Sequence, residues 1–204
     1  MAAKSNSGVL YDKSNLERRL GVILSWSLKN EIVKAEPETI DIKTQIDKVI
    51  EEANELLYHR MSKLHNKKKF NEGEFLDDIG DVFISAFNLY MLVTTHNPNK
   101  GVPKEFIDMV NLAIKHDINL IDGRLPDAEM EIFRLIDKLH KLKDSIRYMR
   151  QLKAESLNDI FYRLENIRKL VVVSGYTRIT LRQAIFYSWN MIKNRSYKVF
   201  QRDF

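Results

Sequence analysis

The sequence contains no cysteine, only seven glycines and four prolines, and no long apolar run. Without cysteine the chain forms neither a disulfide framework nor a thiolate metal site. This fits the reducing cytoplasm, where we expect the protein to act. No window approaches the roughly 18 uninterrupted apolar residues of a membrane span, so a membrane partner is not expected. Residues 1–14 lack the apolar core of a signal peptide and are expected to form a flexible N-terminus.

The charge of the chain is mildly basic and excludes little. A formal net charge of +5 favours anionic ligands in a general way. The excess is spread along the chain. It is therefore compatible with a nucleotide phosphate, with nucleic acid and with ordinary solubility.

The few glycines and prolines separate long stretches that have the 3.6-residue periodicity of helices, and strand-type alternation is nearly absent. The one β-like run, residues 171–173, lies inside a longer helical pattern. We therefore predict an all-α fold, a helical bundle of about six to seven helices. The expected helices span about residues 15–33, 40–64, 74–94, 103–116, 127–151, 156–174 and 180–197.

Two short acidic clusters stand inside otherwise apolar helical patterns, where carboxylates are costly to bury. Glu52 and Glu55 are three residues apart and share one face of a helix. Asp78 and Asp81 repeat this geometry on the next helix. If the two helices pack antiparallel, four carboxylates converge, an arrangement that suits a hard divalent cation such as Mg²⁺. A solvated helix surface produces the same spacing, but the apolar residues beside both pairs favour the metal site.

The residues around both pairs resemble the MazG-like, all-α nucleoside triphosphate pyrophosphohydrolases, a family related to the all-α dimeric dUTPases. The resemblance lies in the Glu-x-x-Glu pair and in Asp-Ile-Gly-Asp-Val at residues 78–82. In the family, the second motif is Glu-x-x-Asp, often within Glu-Leu-Gly-Asp-Val. Gln45 and Lys48 also match the residues that usually precede the first pair. Asp78 departs from the family's glutamate and is shorter, which leaves the position and occupancy of the metal open.

The resemblance implies Mg²⁺-dependent hydrolysis of (d)NTPs between the α and β phosphates, which yields a nucleoside monophosphate and pyrophosphate. The implied metal ligands are Glu52, Glu55, Asp78 and Asp81, and Mn²⁺ can substitute for Mg²⁺. Glu52 or Glu55 would act as the general base. The implied role is control of the nucleotide pool by a cytoplasmic homo-oligomer. The preferred base and sugar stay open, and dUTPase or dUDPase specificity is an alternative.

Six side chains are candidates for binding the substrate, and most have a plainer alternative. Lys48 lies one turn from Glu52, so it is placed either to reach a phosphate or to pair with that glutamate. Trp26 offers a face for stacking on a base, although core packing is the commoner role of a tryptophan. Asn88 lies on the face of Asp81 and suits a hydrogen bond to a ligand or between helices. The candidates are Gln45, Lys48, Trp26, Asn88, Lys193 and Arg195, the last two in a basic segment resembling the close of the family's last helix.

The second half of the chain has two interpretations. Residues 15–120 contain the MazG-like pattern, and residues 121–204 contain the C-terminal helices. Residues 156–160 align with residues 78–82, and Asp137 and His140 fall near the place of a second acid pair. The C-terminal half is therefore either a degenerate second copy, which we favour, or an insertion followed by the last helix of a single domain. In both cases Asp159 alone cannot hold a metal, and we expect one active site per chain.

A binding module is the rival class of function. A basic helical bundle can contact nucleic acid or a protein partner while its acidic residues only solubilise it. An inactive relative of the enzymes is a further alternative. No helix-turn-helix, zinc-finger or other nucleic-acid motif is recognisable, so nucleic acid is not the expected partner. Turnover that needs a divalent metal and is lost without Glu52 or Asp81 would distinguish an enzyme from a binding module.

Overall fold

The computed structural model describes residues 13–63, 71–94, 97–115, 127–147, 155–173 and 179–193. Within these ranges the chain forms helices and connecting turns but no strand, and the predicted all-α fold is confirmed. A turn of 3₁₀ helix, Pro98–Lys100, precedes the fourth α-helix. The α-helices are α1 (Lys13–Lys29), α2 (Thr39–Lys63), α3 (Glu72–Thr94), α4 (Lys104–Lys115), α5 (Ala128–Arg147), α6 (Glu155–Val173) and α7 (Leu181–Ile192).

The first helix ends earlier than the sequence predicts. It was expected to continue to Val33, but it ends at Lys29 because Glu31 adopts a left-handed φ of 57°. The amide of Ile32 then donates back to the Ser27 carbonyl at 2.9 Å, which satisfies one of the last helical acceptors. Val33 is still buried, at 1% exposure. The apolar Val33 therefore continued the helical spacing of the sequence, although the segment that contains it packs on the core without being helical.

α3 is the central helix and contacts α1, α2, α6 and α7. Every residue from 82 to 92 is buried. The ring of Phe83 lies 5.4 Å from that of Phe161 on α6, and Phe87 lies 5.1 Å from Phe106 on α4. Phe106 and Phe161 are themselves 5.1 Å apart. This aromatic cluster holds α3 in place and thereby positions the acid pair at its N-terminal half.

α2 packs between α3 and α5. Arg60 near the end of α2 pairs with Glu129 near the start of α5, with Nε and Oε1 2.7 Å apart. Lys143 near the end of α5 pairs with Asp47 near the start of α2, so the two helices run antiparallel. The Arg60 side chain is only 5% exposed. Because a buried charge left without its partner is strongly destabilising, this pair helps to fix the register of α2.

α7 lies against α3 at a point where Gly80 permits a close approach. The helix was expected over about residues 180–197; it begins at Leu181, after the capping residue Thr180, and ends at Ile192. A Cβ atom on Gly80 would lie 2.4 Å from both the Ala184 carbonyl oxygen and the Ser188 Cβ. Only glycine therefore fits at this contact.

Candidate functional site

A cavity of about 350 Å³ opens between α1, α2, α3 and the end of α7. This size is within the range of small-molecule sites. The antiparallel packing of α2 and α3, as expected, brings the two motifs side by side. Gln45 meets Ser85 at one level, and His59 meets Asp78 at another. Six predicted site residues line the cavity: Trp26, Gln45, Lys48, Glu52, Asp81 and Asn88.

Glu52 and Lys48 form an ion pair in the wall of the cavity. The Lys48 ammonium lies 2.8 Å from the Glu52 carboxylate and 3.1 Å from that of Glu51, so the plainer alternative for Lys48 is observed. Burial raises the pKa of Glu52, against the effect of Lys48, and repulsion from Glu55 adds to the rise. Burial alone would lower the pKa of Lys48, but its carboxylate partners outweigh burial and raise it. The ammonium therefore stays charged beside a carboxylate whose ionisation is costly.

Asp81 is the carboxylate that α3 contributes to the cavity. Ser188 on α7 is fully buried and donates its hydroxyl to Asp81 Oδ1. The two residues are 107 positions apart in the sequence. They meet because Gly80, next to Asp81, allows α7 to approach the backbone of α3. The orientation of Asp81 therefore depends on a helix from the far end of the chain.

Asp78 and Glu55 do not line the cavity. His59 Nδ1 lies 2.9 Å from both carboxylate oxygens of Asp78. Burial raises the pKa of Asp78 to about 6, although the contact with His59 opposes the rise. Glu55 is exposed, and its charge raises the pKa of both Glu52 and Asp78. Glu55 is therefore close to both of the other acids, on the solvent side of the α2–α3 interface.

The four acids form a row along the α2–α3 interface rather than a closed cage. Among the residues that the structure describes, no three His, Cys, Asp or Glu side chains form a group that could hold a metal. The three least exposed acids of the row each have a partner within the protein: Lys48 for Glu52, His59 for Asp78 and Ser188 for Asp81. The donor chemistry nevertheless fits a hard cation, since carboxylate oxygens are the ligands that Mg²⁺ prefers. A cation would also relieve the repulsion that raises the pKa of Glu52 and Asp78.

The other end of the cavity carries two amides of fixed orientation. Gln45 donates from Nε2 to the Ser85 carbonyl at 2.9 Å, which directs its Oε1 acceptor away from that bond. Asn88 accepts at Oδ1 from the Ser27 hydroxyl at 2.8 Å, which leaves its Nδ2 as the donor group. Beside them, Trp26 is half-buried and packs edge-on against Trp189 on α7, with ring centroids 5.8 Å apart. This end therefore combines an aromatic wall with one fixed donor and one fixed acceptor.

Of the two basic candidates near the C-terminus, the structure describes Lys193, which does not line the cavity. Lys193 follows α7 directly and is exposed, and its amide donates to the Trp189 carbonyl at 3.0 Å. Its neighbour Ile192 lines the cavity, so Lys193 lies next to the wall without contributing to it. Arg195 lies outside the described residues. The phosphate-binding role of both stays a prediction.

Two residues at the site were not expected from the sequence. His59 follows Glu55 by four residues and Glu52 by seven, so helical spacing already put it on the face of the acid pair. Helical spacing alone would therefore have identified it. Ser188 carried no such signal, because only the packing of α7 against α3 places it at Asp81. The wall also contains Glu31 and Asp41, which lie outside both motifs.

Comparison with known proteins leaves the site as the main source of functional information. None of the family models, curated proteins or solved structures compared with the chain matches it. Over the described ranges, none of the helices combines the length and apolar character needed to cross a membrane. The cavity is therefore the feature of the structure that bears on function.

Proposed function

We propose that this protein is a MazG-like nucleoside triphosphate pyrophosphohydrolase that cleaves (d)NTPs between the α and β phosphates with Mg²⁺. Control of the nucleotide pool in the cytoplasm, as a homo-oligomer, is part of the proposal. The observation that carries it is the cavity, which collects candidate base-binding and phosphate-binding residues and two of the four candidate metal ligands from three helices. A set of unrelated surface acids would not be expected to surround one cavity of this size.

The charge of the cavity wall supports a substrate that arrives with a cation. Among the residues that the structure describes, the wall contains four carboxylates, Glu31, Asp41, Glu52 and Asp81, but only one ammonium group, that of Lys48. Such a wall repels a polyphosphate by about 1–4 kcal/mol for each close pair of charges. Mg²⁺ held by the motif carboxylates would neutralise the phosphate oxygens and acidify an attacking water.

The chain's own side chains have distinct roles in this proposal. Glu52, whose pKa is raised by burial, suits a general base better than an ordinary glutamate does. Glu55, on the same face, is the alternative base. Lys48 would orient a phosphate oxygen beside them. Asn88 lies two turns, or about 10 Å, after Asp81 on α3, at the same level as Gln45 on α2. There the Asn88 donor and the Gln45 acceptor would bind the edge of a base against Trp26.

The decisive experiment is product analysis. The purified protein is incubated with each NTP and dNTP, with and without Mg²⁺, and monophosphate, pyrophosphate and orthophosphate are separated. Metal-dependent formation of monophosphate and pyrophosphate from one or a few substrates is expected. Orthophosphate as the product would retain a hydrolase but contradict cleavage between the α and β phosphates.

Two neighbouring glutamates provide a matched control. Glu52→Gln is expected to abolish turnover because it removes the buried carboxylate of the cavity wall. Glu51→Gln removes an exposed carboxylate one position away that does not line the cavity. This variant should retain activity. Equal loss of activity in both variants would point to an effect of net charge rather than to a site.

A non-catalytic binding role is the second candidate, and the partners of the acids favour it. Lys48, His59 and Ser188 already satisfy Glu52, Asp78 and Asp81. An inactive relative that binds nucleotides or a protein partner would retain such contacts and need no metal. Nucleotide binding by calorimetry without turnover of any (d)NTP would support this role and reject the enzyme.

A further inference from the structure

The packing of the helices repeats itself within the chain. If α2, α3 and α4 are exchanged with α5, α6 and α7 in that order, each extensive helix–helix contact among these six maps either onto a second observed contact or onto itself. The contact of α2 with α3 becomes that of α5 with α6, and α3 with α7 becomes α6 with α4. The contacts of α2 with α5 and of α3 with α6 map onto themselves. Among the described helices, α1 is the one without a counterpart.

The central helices of the two halves also match in sequence. Residues 81–93 and 159–171 are identical at five of thirteen positions, with aspartate first and leucine–valine last. All buried residues of α6 then coincide with buried or half-buried positions of α3. Phe83 corresponds to Phe161 in this alignment, and their rings pack 5.4 Å apart. Equivalent residues in contact with each other are expected at a two-fold axis.

A hydrogen bond links the other two helices to the same pattern. Aligning residue 45 with residue 131 makes every buried position of α5 coincide with a buried or half-buried position of α2. Gln45 then corresponds to Glu131, and Ser85 corresponds to Arg163. Gln45 donates to the Ser85 carbonyl at 2.9 Å, and Arg163 donates from Nη1 to Glu131 at 3.2 Å. The same two helix positions are therefore joined in both halves.

The positions of the two α2 acids have the opposite charge in the second half. Lys138 and Lys141 stand where α2 has Glu52 and Glu55, and residues 156 and 159 on α6 are serine and aspartate. Asp159, the one acid retained, lies 2.8 Å from Arg163 Nε and 3.9 Å from Lys138 Nζ. The sequence suggested residues 137 and 140 as the second pair. Both are exposed on α5, one position away from the equivalent face.

We infer that α5–α7 is a second copy of α2–α4 with exchanged third helices, and that lysine and arginine side chains have closed its site with salt bridges. This inference takes its definition of the site from the proposed function. Because of the exchange, the second copy's α7 supplies Ser188 and Ile192 to the first copy's cavity. Within the described part of the chain, the two copies then build the open site together.

Restoring the acids tests the inference directly. Lys138→Glu, Lys141→Glu, Ser156→Asp and Arg163→Ser are combined in the full-length chain, and Mn²⁺ binding is titrated by electron paramagnetic resonance. We expect one more Mn²⁺ ion bound per chain than in the wild type. The matched control combines Lys138→Gln, Lys141→Gln, Ser156→Asn and Arg163→Ser, which removes the salt bridges without adding carboxylates. No additional ion in the restored variant, or an equal gain in the control, overturns the inference.

A second comparison serves if the restored variant does not fold, as judged by circular dichroism. Asp81→Asn and Asp159→Asn each replace a carboxylate by an amide, at equivalent positions of the two copies. We expect the first to weaken Mn²⁺ binding by about tenfold or more and the second by less than about twofold, since Arg163 and Lys138 already hold the Asp159 carboxylate. Comparable losses would show that the second copy itself binds cations. If the wild type binds no Mn²⁺, the proposed metal site is rejected. The inference about the second copy is still decided by the number of Mn²⁺ ions bound to the restored variant compared with the control variant.

Discussion

Replacing Gly80 with alanine should separate α7 from α3 and disturb the candidate site at the same time. The added Cβ would lie 2.4 Å from the Ala184 carbonyl oxygen and from the Ser188 Cβ. Neither obstacle is the end of a flexible side chain, so α7 has to move by roughly 1 Å to reach ordinary van der Waals contact. The movement would also draw Ser188 away from Asp81.

The expected cost follows from two opposing effects. Overpacking at a tight contact costs about 1–3 kcal/mol, and the upper end applies because backbone has to shift. Alanine in place of glycine inside a helix returns about 1 kcal/mol. The net loss in the free energy of unfolding is therefore about 2 kcal/mol, equivalent to a fall in Tm of about 4–8 °C for a chain of this length.

Gly21 provides the matched control for this measurement. It also lies inside a helix, but a Cβ there would meet nothing within 4 Å. Gly21→Ala is expected to raise the stability by up to about 1 kcal/mol. Both variants are unfolded by urea and by heat, with circular dichroism as the signal. Gly80→Ala that is as stable as Gly21→Ala would refute the close approach of α7 to α3.

Three further variants examine the site itself. Glu55→Gln is expected to abolish turnover without changing the circular dichroism spectrum, and retained activity would remove this carboxylate from the mechanism. Because burial raises the pKa of Asp78 to about 6, the folded chain binds this proton more tightly than the unfolded chain does. The contribution of Asp78 to the free energy of unfolding should therefore fall by roughly 3 kcal/mol as the pH rises from about 4 to above 6. Asp78→Asn should lack this contribution, so urea titrations at both ends of the range should show a smaller fall in the variant than in the wild type, whereas equal falls in the two proteins would contradict the argument. Ser188→Ala removes the hydroxyl that donates to Asp81 and should weaken Mn²⁺ binding by about tenfold. The binding is measured by electron paramagnetic resonance, and an unchanged affinity would exclude a role of Ser188 in positioning Asp81.

Most of the helix positions could be predicted because they depend on local periodicity and on a few helix-ending residues. Residues 171–173 show the strength of this signal, since three consecutive valines lie inside α6 as the surrounding pattern indicated. The end of α1 shows its limit. The left-handed φ of Glu31 ends that helix, and nothing in the spacing of apolar residues announced it.

The residues of the candidate site could be predicted only in part. Trp26 and Asn88 were expected to have either a ligand or a packing role, and the structure places both in the cavity wall. Lys48 was expected either to meet a phosphate or to pair with Glu52, and it pairs. Glu55 shares a helix face with Glu52, yet it is exposed and outside the wall. The rotation of α2 about its own axis, set by its packing on α3 and α5, decides which acids point into the cavity.

Periodicity and spacing along the chain were sufficient for the all-α class and for the two acid pairs on the faces of neighbouring helices. Both depend on the geometry of a single helix, in which residues three or four apart lie on one side. Only the tertiary structure decided that Glu52 and Asp81 share a cavity, while His59 binds Asp78 and Ser188 binds Asp81. Those contacts depend on how separate helices are rotated and on how closely they approach each other. Between α3 and α7, the close approach depends on Gly80.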